Sequence, residues 1–332
     1  MTVGEKPAVA VLGAGAFGTA LANAAGRAGR RTLIWARDAS AVAAINGKRS
    51  NEARLPGARI HDLVSATGAL EEAARADMIL LVVPAQALRG VTEAVAPFVR
   101  AGTPLVICAK GIERGTGRFM SEVVAEAAPA AVPAVLSGPG FAADIEKGLP
   151  TALTVAAEDD TVAKSIADRL GSSTLRLYHT SDLRGVEIGG ATKNVLAIAA
   201  GVVSGRLLGA SAVAALTARG FAELTRFGRH FGARAETLMG LSGLGDLILS
   251  CSSLQSRNFA LGHALGQGKG LDLVSGKGAL AEGALTAEIL VEKARDAGID
   301  MPIAEAVDAV LGGMIDVDQA IAQLMARPQK AE

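Results

Sequence analysis

Lys193 lies in the segment Gly189-Gly-Ala-Thr-Lys193-Asn194, where small and apolar residues surround a single amine. Burial lowers the pKa of a lysine and so suits it to proton transfer near neutral pH. A lysine whose stem packs along a helix while its ammonium reaches water has the same neighbours. The segment therefore favours a catalytic role for the amine of Lys193, with a structural role as the alternative.

Two further charged residues stand where predicted elements begin or end. Lys110 follows a predicted strand over 104–109, and ligands bind at the carboxyl ends of the strands in open α/β sheets. Asp246 follows the glycine-rich segment Leu241–Gly245 and begins a predicted helix. The alternatives are that Lys110 is an ordinary surface lysine and that the Asp246 carboxylate only caps its helix. The functional hypothesis for Asp246 is that its carboxylate faces Lys193 or the hydroxyl groups of a substrate.

The tripeptide Ser256-Arg257-Asn258 falls within a predicted helix. An arginine can hold a phosphate through two parallel hydrogen bonds, and neighbouring hydroxyl and amide groups add neutral donors. This pattern indicates a phosphate site, although a solvated polar helix face has the same composition. The four histidines are scattered without metal-ligand spacing, so we expect no metal site.

A hydrophobic stretch over 8–12 runs into Gly13-Ala-Gly15-Ala-Phe-Gly18 and then into a predicted helix. In this context Gly13 permits a tight turn, Gly15 lets the backbone approach a pyrophosphate, and Gly18 lets the helix pack on the strand. The first amide groups of that helix face the phosphates. The segment therefore predicts a bound dinucleotide.

The residues after the second predicted strand bear on which dinucleotide is bound. NAD-binding units usually carry an acidic residue here, which binds the ribose 2′-hydroxyl. The sequence reads Trp35-Ala-Arg37-Asp38. Arg37 suits a 2′-phosphate or stacking on adenine, whereas Asp38 keeps NAD(H) open. We favour NADP(H), with a solvated arginine at a strand end as the alternative.

Strands and helices alternate along the first half of the chain, a pattern typical of a mainly parallel, doubly wound sheet. Beyond Thr180 only helical patterns follow. We predict an α/β, Rossmann-type domain over 1–179 and an all-α substrate-binding and catalytic domain over 180–332. The predicted strands are 8–12, 31–35, 78–83, 104–109, 134–136, 151–157 and 174–178. The predicted helices of the second domain are one capped by Ser181 or Asp182, then 211–231, 235–239, 247–266, 285–297, 303–312 and one from Val317.

Composition excludes several classes of partner. The 332 residues carry 33 basic and 33 acidic side chains, a balance that gives no indication of binding to nucleic acid or to a membrane surface. Two cysteines without C-x-x-C spacing support neither a disulfide framework nor structural zinc. The N-terminus lacks a signal-peptide core, and apolar stretches are interrupted below membrane-spanning length. We expect a cytoplasmic protein with a small-molecule substrate, and a homodimer because the second domain is rich in small residues.

Taken in order, these segments make the chain resemble bacterial-type NAD(P)-dependent glycerol-3-phosphate dehydrogenases over nearly its whole length. The matching segments are Gly13-Ala-Gly-Ala-Phe-Gly-Thr-Ala-Leu21, Leu55-Pro-Gly57, Ala109-Lys-Gly111, Ser137-Gly-Pro139, Gly189-Gly-Ala-Thr-Lys-Asn194, Gly243-Leu-Gly-Asp-Leu247, Ser256-Arg-Asn258 and Ala281-Glu-Gly283. The family interconverts sn-glycerol 3-phosphate and dihydroxyacetone phosphate, and supplies glycerol phosphate for phospholipid synthesis. The resemblance implies a helical second domain like the C-terminal domain of 6-phosphogluconate dehydrogenase.

The resemblance also implies roles for individual residues. Lys193 looks like the family's general acid/base, and Lys110 looks like the lysine that contacts both substrate and nicotinamide. The implied substrate-binding positions are Lys110, Gly138, Gly140, Lys193, Asp246, Ser256, Arg257 and Asn258. The implied cofactor-binding positions are Gly13, Gly15, Ala16, Phe17, Gly18, Arg37, Lys110, Ala142, Arg257, Leu280 and Glu282.

One position departs from the family pattern. The family commonly has Thr or Ser before Phe141, where this chain has Gly140, so a hydroxyl that would bind the substrate is missing. Two other readings stay open: a related dehydrogenase of a hydroxy acid or sugar acid, and a non-catalytic NADP(H)-binding sensor. The Ser-Arg-Asn and Gly-Asp segments argue against the first, and the retained lysines argue against the second.

Overall fold

The structure is a computed structural model that describes residues 6–270 and 281–328. Its described residues contain a sheet of eight strands in the order β3-β2-β1-β4-β5-β6-β7-β8. The strands are β1 (Val9–Leu12), β2 (Thr32–Trp35), β3 (Val64–Thr67), β4 (Ile79–Leu81), β5 (Pro104–Ile107), β6 (Val132–Ser137), β7 (Thr151–Ala157) and β8 (Leu175–Thr180). The strand order reverses at β1, which has β2 on one side and β4 on the other, and ligands bind beside the carboxyl ends of strands at such a point.

The sheet is parallel except where β6 pairs antiparallel with β7. Every residue of β1 is buried, as expected for a strand that is covered on both faces. This architecture confirms the predicted doubly wound α/β fold. The flanking helices are α1 (Ala16–Arg27), α2 (Ala39–Ala43), α3 (Leu70–Ala74), α4 (Leu88–Val95), α5 (Met120–Ala127), α6 (Ala142–Glu146) and α7 (Asp160–Leu170).

The sequence patterns miss two short elements, β3 and α6. β3 reads Val-Ser-Ala-Thr and pairs only with β2, so it has neither the apolar run nor the length of an interior strand. α6 has five residues and begins after Phe141, whose side chain makes no capping hydrogen bond. Neither element carries the periodicity or the cap on which the sequence analysis depends.

The chain forms two compact units. The first extends to Lys110 and includes Arg118–Glu187, and the second contains Gly111–Gly117 and the chain from Ile188 onward. The division lies inside the helix α8 (Leu183–Gly205) rather than at the predicted 179/180 boundary. The first turn of α8 belongs to the first unit because Leu183 and Val186 join its core.

The second unit is helical over its described residues. It contains most of α8, then α9 (Ala210–His230), α10 (Ala235–Met239), α11 (Asp246–Cys251), α12 (Arg257–Gly266), α13 (Glu282–Asp296), α14 (Pro302–Leu311) and α15 (Val317–Met325). The predicted single helix over 247–266 is wrong, because the chain leaves the helix after Cys251 and restarts at Arg257 with Ser256 as its cap. The predicted glycine loop before Asp246 is a single π-helical turn, Leu241–Gly245.

α8 also corrects an expectation about apolar length. It has 23 residues, and an 18-residue stretch of it has a mean hydropathy of 1.3, which is enough by length and composition to cross a membrane. That stretch is 94% buried inside the protein. Core helices have the same properties, so the segment is weak evidence for a membrane span.

Glycines bring α8 and α12 into direct backbone contact. Gly201 and Gly205 lie one turn apart on α8, and Gly262 and Gly266 are spaced in the same way on α12. A Cβ at any of the four would lie 1.9–2.4 Å from a carbonyl oxygen of the facing helix. No larger residue fits without moving a backbone, so these contacts fix how the two helices sit against each other.

Candidate active site

The glycine segment after β1 has three different physical constraints. Gly13 has a φ of +122°, and a Cβ there would lie 2.2 Å from the carbonyl oxygen of Val82. A Cβ at Gly18 would lie 2.0 Å from the Gly13 carbonyl oxygen. At Gly15 it would meet no protein atom within 4 Å. Protein packing therefore explains Gly13 and Gly18, whereas Gly15 borders open space that leaves room for a ligand close to the backbone.

The N-terminus of α1 also fits a dinucleotide pyrophosphate. The helix begins at Ala16, followed by Phe17, and its cap position, Gly15, offers no side chain to the first amide groups. Uncapped amide groups and the helix dipole together favour an anion. The residues present thus fit the predicted cofactor.

The two charged residues after β2, Arg37 and Asp38, have different surroundings. The Asp38 carboxylate accepts a hydrogen bond from Ser40 N at 2.8 Å and caps α2. Hydrogen bonds from Ser40 lower the pKa of Asp38, and the charge of Arg54 contributes in the same direction. Arg37 is exposed at the strand end. One oxygen of the carboxylate that would bind a ribose hydroxyl therefore caps the helix.

Lys110 lies three residues beyond β5, and its Nζ donates a hydrogen bond to the Gly138 carbonyl oxygen at 3.4 Å. The structure thus brings together two of the predicted substrate positions. Ala142, a predicted cofactor position, is the first residue of α6, and both Gly138 and Ala142 follow the carboxyl end of β6.

Gly140 is enclosed by apolar side chains. A Cβ there would lie 3.1 Å from Thr151 Cγ2 and Leu153 Cδ2, and 3.2 Å from Ile145 Cδ1. These distances are shorter than most real Cβ contacts, so the neighbours occupy part of the space that a Thr or Ser side chain would use.

Lys193 lies at the centre of a buried polar network in the second unit. Its Nζ lies 3.2 Å from Asp246 Oδ1 and donates to Ser250 Oγ at 2.7 Å. Ser250 Oγ in turn donates to Asp246 Oδ1 at 3.4 Å. The side chains of Lys193 and Asp246 are 9% and 3% exposed. Lys193 is therefore not a lysine that reaches bulk water, and Asp246 is not a simple cap.

This network holds an amine at a fixed place beside a carboxylate and a hydroxyl. A positioned amine can give a proton to a substrate oxygen or take one from it. Ser250 is not among the site residues that the sequence patterns predict. The signal was present, because Asp246 and Ser250 are four residues apart on α11 and so share one face.

The predicted phosphate segment begins α12. Ser256 caps the helix by accepting from Phe259 N at 3.3 Å, and Arg257 is exposed. Asn258 is 8% exposed; its Nδ2 donates to Asn194 Oδ1 at 2.9 Å, and its Oδ1 accepts from Gly283 N at 2.9 Å. Asn258 therefore joins three elements, α8, α12 and α13.

The remaining predicted positions lie near or beyond α13. Glu282 is the first residue of α13 and precedes Gly283, the partner of Asn258. Leu280 lies outside the described residues. Over the described ranges, no group of three or more His, Cys, Asp or Glu residues could hold a metal ion.

Comparison with known proteins gives a consistent result. Residues 8–163 match the family model for the N-terminus of NAD-dependent glycerol-3-phosphate dehydrogenase, and residues 182–322 match the model for its C-terminus. A glycerol-3-phosphate dehydrogenase [NAD(P)+] from Azorhizobium caulinodans is 61% identical over 98% of both chains. One from Rhodopseudomonas palustris strain TIE-1 is 57% identical over 99% of this chain and 100% of its own.

Comparison with solved structures indicates the same family. The crystal structure of glycerol-3-phosphate dehydrogenase from Coxiella burnetii has a TM-score of 0.92 and 35% identity, covering 97% of this chain and 99% of its own. A putative ketopantoate reductase from Ralstonia solanacearum shares only the fold, with a TM-score of 0.59 at 19% identity over 93% of this chain and 97% of its own. The chain belongs to the NAD-dependent glycerol-3-phosphate dehydrogenase family.

Proposed function

We propose that the protein interconverts sn-glycerol 3-phosphate and dihydroxyacetone phosphate with NAD(P)(H), and that it supplies glycerol phosphate for phospholipid synthesis. The observation that supports this most directly is the buried network of Lys193, Asp246 and Ser250. Its amine is the kind of group that a ketone reduction requires at the carbonyl oxygen. The names of the close relatives, glycerol-3-phosphate dehydrogenase [NAD(P)+], support glycerol 3-phosphate as a substrate.

The reaction balances with one hydride and one proton. The bound cofactor supplies or accepts the hydride at the middle carbon of the substrate. In reduction, Lys193 Nζ donates a proton to the carbonyl oxygen as the C–O double bond becomes a single bond. In oxidation, it accepts the proton of the hydroxyl group. In both reduction and oxidation, Asp246 holds the amine through an ion pair and Ser250 holds it through a hydrogen bond.

The substrate phosphate needs cationic and neutral donors. We assign these to Arg257, Ser256 and Asn258. We assign Lys110 and Gly138 to substrate binding as well, with Lys110 also contacting the nicotinamide. Gly140 contributes no hydroxyl group, so either a water takes its place or the affinity for the substrate is lower.

We assign the cofactor pyrophosphate to the segment Gly13, Gly15 and Gly18 and to the α1 amides of Ala16 and Phe17. NADP(H) is the preferred cofactor because Arg37 is exposed and Asp38 already caps α2. Arg54, whose charge acts on Asp38, adds to the positive potential there. The further cofactor positions are Ala142, Arg257, Leu280 and Glu282.

The experiment is the loss of NADPH absorbance when dihydroxyacetone phosphate is added to the purified protein. We expect turnover with this substrate and none with oxidised cofactor and a panel of hydroxy acids and sugar acids. Turnover only of a hydroxy acid or sugar acid would replace the proposed substrate, and binding without turnover would indicate a sensor. We further propose a cytoplasmic homodimer, which light scattering and cell fractionation would test.

A further inference from the structure

Asn51 makes buried contacts with the glycine segment that follows β1. It lies in the connection between β2 and β3 and is 3% exposed. Its Nδ2 donates to the Ala14 carbonyl oxygen at 2.9 Å and to Thr19 Oγ1 at 2.8 Å. Ala14 stands between two of the motif glycines, and Thr19 lies in the first turns of α1. A side chain more than 30 residues away thus uses both amide hydrogens on this one segment.

The contact with Ala14 determines which way one backbone amide points. In a trans peptide the C=O and the following N–H point in opposite directions. Holding the Ala14 carbonyl toward Asn51 therefore directs the Gly15 N–H away from it, out of the protein core. Gly15 is exposed and is the glycine at which a Cβ would meet no protein atom. Its N–H is thus available to an anion that approaches the segment.

Without the hydrogen bond from Asn51, the Ala14–Gly15 peptide could readily adopt a rotated orientation. Gly15 lacks a Cβ, so rotation of the Ala14–Gly15 peptide meets little steric resistance. The rotated form would present a carbonyl oxygen, instead of an N–H, to a pyrophosphate. A buried amide that binds the carbonyl oxygen opposes that rotation, because Ala14 and Asn51 would both lose a partner.

The anchor is itself held firmly. The Asn51 carbonyl oxygen accepts from Arg54 N at 3.0 Å and from Leu55 N at 2.8 Å. These hydrogen bonds close a turn, so the carboxamide is presented from an ordered backbone and not from a free loop. The geometry points to Asn51 as a positioning residue that sets the orientation of the Gly15 amide for dinucleotide binding, an inference that rests on the proposed cofactor use.

The chain offers a matched control in Asn46. This residue lies on the same connection, and its carboxamide also makes two backbone hydrogen bonds, with Ala66 O and Ala66 N, both at 2.8 Å. Those contacts attach the connection to β3 and do not involve the glycine segment. Asn46→Ala therefore removes the same number of carboxamide hydrogen bonds, although from an exposed side chain, without touching the Gly15 amide.

The test compares dissociation constants for NADPH, from its fluorescence, in wild type, Asn51→Ala and Asn46→Ala. We expect Asn51→Ala to weaken NADPH binding about tenfold, because the rotated Ala14–Gly15 peptide then becomes the main form of the free protein. We expect Asn46→Ala to stay within about twofold of wild type. Hydrogen exchange of a peptide spanning 13–21 in the absence of NADPH should become faster only in Asn51→Ala. If Asn51→Ala does not fold, Thr19→Val keeps the volume, removes one acceptor and should weaken binding about threefold.

Two outcomes separate this inference from the proposed function. Wild type that binds NADPH, with both asparagine variants showing the same affinity, would overturn the role of Asn51 alone. Wild type that binds neither NADPH nor NADH would overturn the proposed cofactor use, and the Asn51 inference with it.

Discussion

The Nζ of Lys193 lies 3.2 Å from Asp246 Oδ1, although the two residues come from different helices and both side chains are almost fully buried. Burying two charges is costly, and removing one partner leaves the other uncompensated at a cost of about 3–5 kcal/mol. Stability alone therefore does not account for this buried ion pair. Its place beside Ser250 is explained if the amine is needed for chemistry.

The first prediction concerns that amine. Lys193→Ala should abolish turnover, with a loss of about a thousandfold or more, because the proton donor is gone. Affinity for NADPH should stay near that of wild type, since the glycine segment is unchanged. Steady-state kinetics together with NADPH fluorescence titration measure both quantities.

A second pair of variants separates chemistry from stability in this network. Lys193→Met with Asp246→Asn removes both charges and should recover part of the lost melting temperature without recovering turnover. Ser250→Ala keeps the ion pair and should reduce turnover far less than Lys193→Ala does. Near-normal turnover in Lys193→Ala would show that another group moves the proton.

The second prediction concerns the substrate phosphate. Arg257→Ala should raise the KM for dihydroxyacetone phosphate about tenfold or more and lower kcat much less, because a charged donor to the phosphate is lost. Arg257→Lys should recover only part of the effect, since an ammonium cannot form two parallel hydrogen bonds. Arg229→Ala is the control, because Arg229 is an exposed arginine on α9 of the same unit. A KM unchanged by Arg257→Ala would remove the phosphate role.

The third prediction concerns cofactor preference. Arg37→Ala should raise the KM for NADPH about tenfold relative to that for NADH, because only NADPH has a 2′-phosphate for the guanidinium to bind. Arg75→Ala is the control, since this exposed arginine ends α3 just before β4 begins. Equal changes for the two cofactors would show that Arg37 acts on their shared part, such as adenine.

Sequence patterns predicted the elements that carry local signals. The unit from β1 through Gly18 to α1 was predictable because apolar run, glycines and helix lie side by side in the chain. The roles of Lys193 and Asp246 were predictable only as hypotheses, since no pattern says that two distant residues meet. The anchor from Asn51 to Ala14 carries no pattern at all, because it depends on how a connection folds back over the sheet.

Helix ends in the second unit show the same limit. Apolar spacing continues through 247–266, so periodicity alone favours one helix. The structure instead interrupts it, and Ser256 caps a new helix whose glycines contact α8. Tertiary packing thus overrides the local pattern at the place where Arg257 and Asn258 are positioned.

The fourth prediction tests the glycine contacts that position those residues. A Cβ at Gly201 would lie 2.1 Å from the Phe259 carbonyl oxygen, so Gly201→Ala must push α12 away from α8. We expect a loss of about 1–3 kcal/mol in unfolding free energy and a raised KM for the substrate. Gly90→Ala is the matched control, because Gly90 is also helical and a Cβ there meets no atom within 4 Å. It should stabilise α4 by about 0.5–1 kcal/mol, and equal effects of the two variants would contradict the packing argument.

The fifth prediction is a pH dependence centred on Glu187. Burial raises the pKa of this carboxyl from 4.5 to about 7, and the charge of Arg184 and hydrogen bonds from Ser121 offset only part of that effect. Between these pH values the folded protein keeps a proton that the unfolded chain has released. The contribution of Glu187 to stability is therefore greatest below pH 4.5 and decreases as the pH rises to 7, by up to about 3 kcal/mol.

Glu187→Gln should remove this pH dependence and keep the contacts with Ser121, although it loses the ion pair between Glu187 Oε2 and Arg184 Nη1, which lie 3.4 Å apart. A glutamine can accept from Ser121 N, which now donates to Glu187 Oε1 at 2.5 Å, and can donate to Ser121 Oγ, which now donates to Oε2 at 2.9 Å. We expect the variant to gain stability relative to wild type at pH 8 and to show little gain at pH 5. Urea unfolding at the two pH values measures the difference, and a variant whose stability relative to wild type is the same at both would show that Glu187 does not titrate in this range.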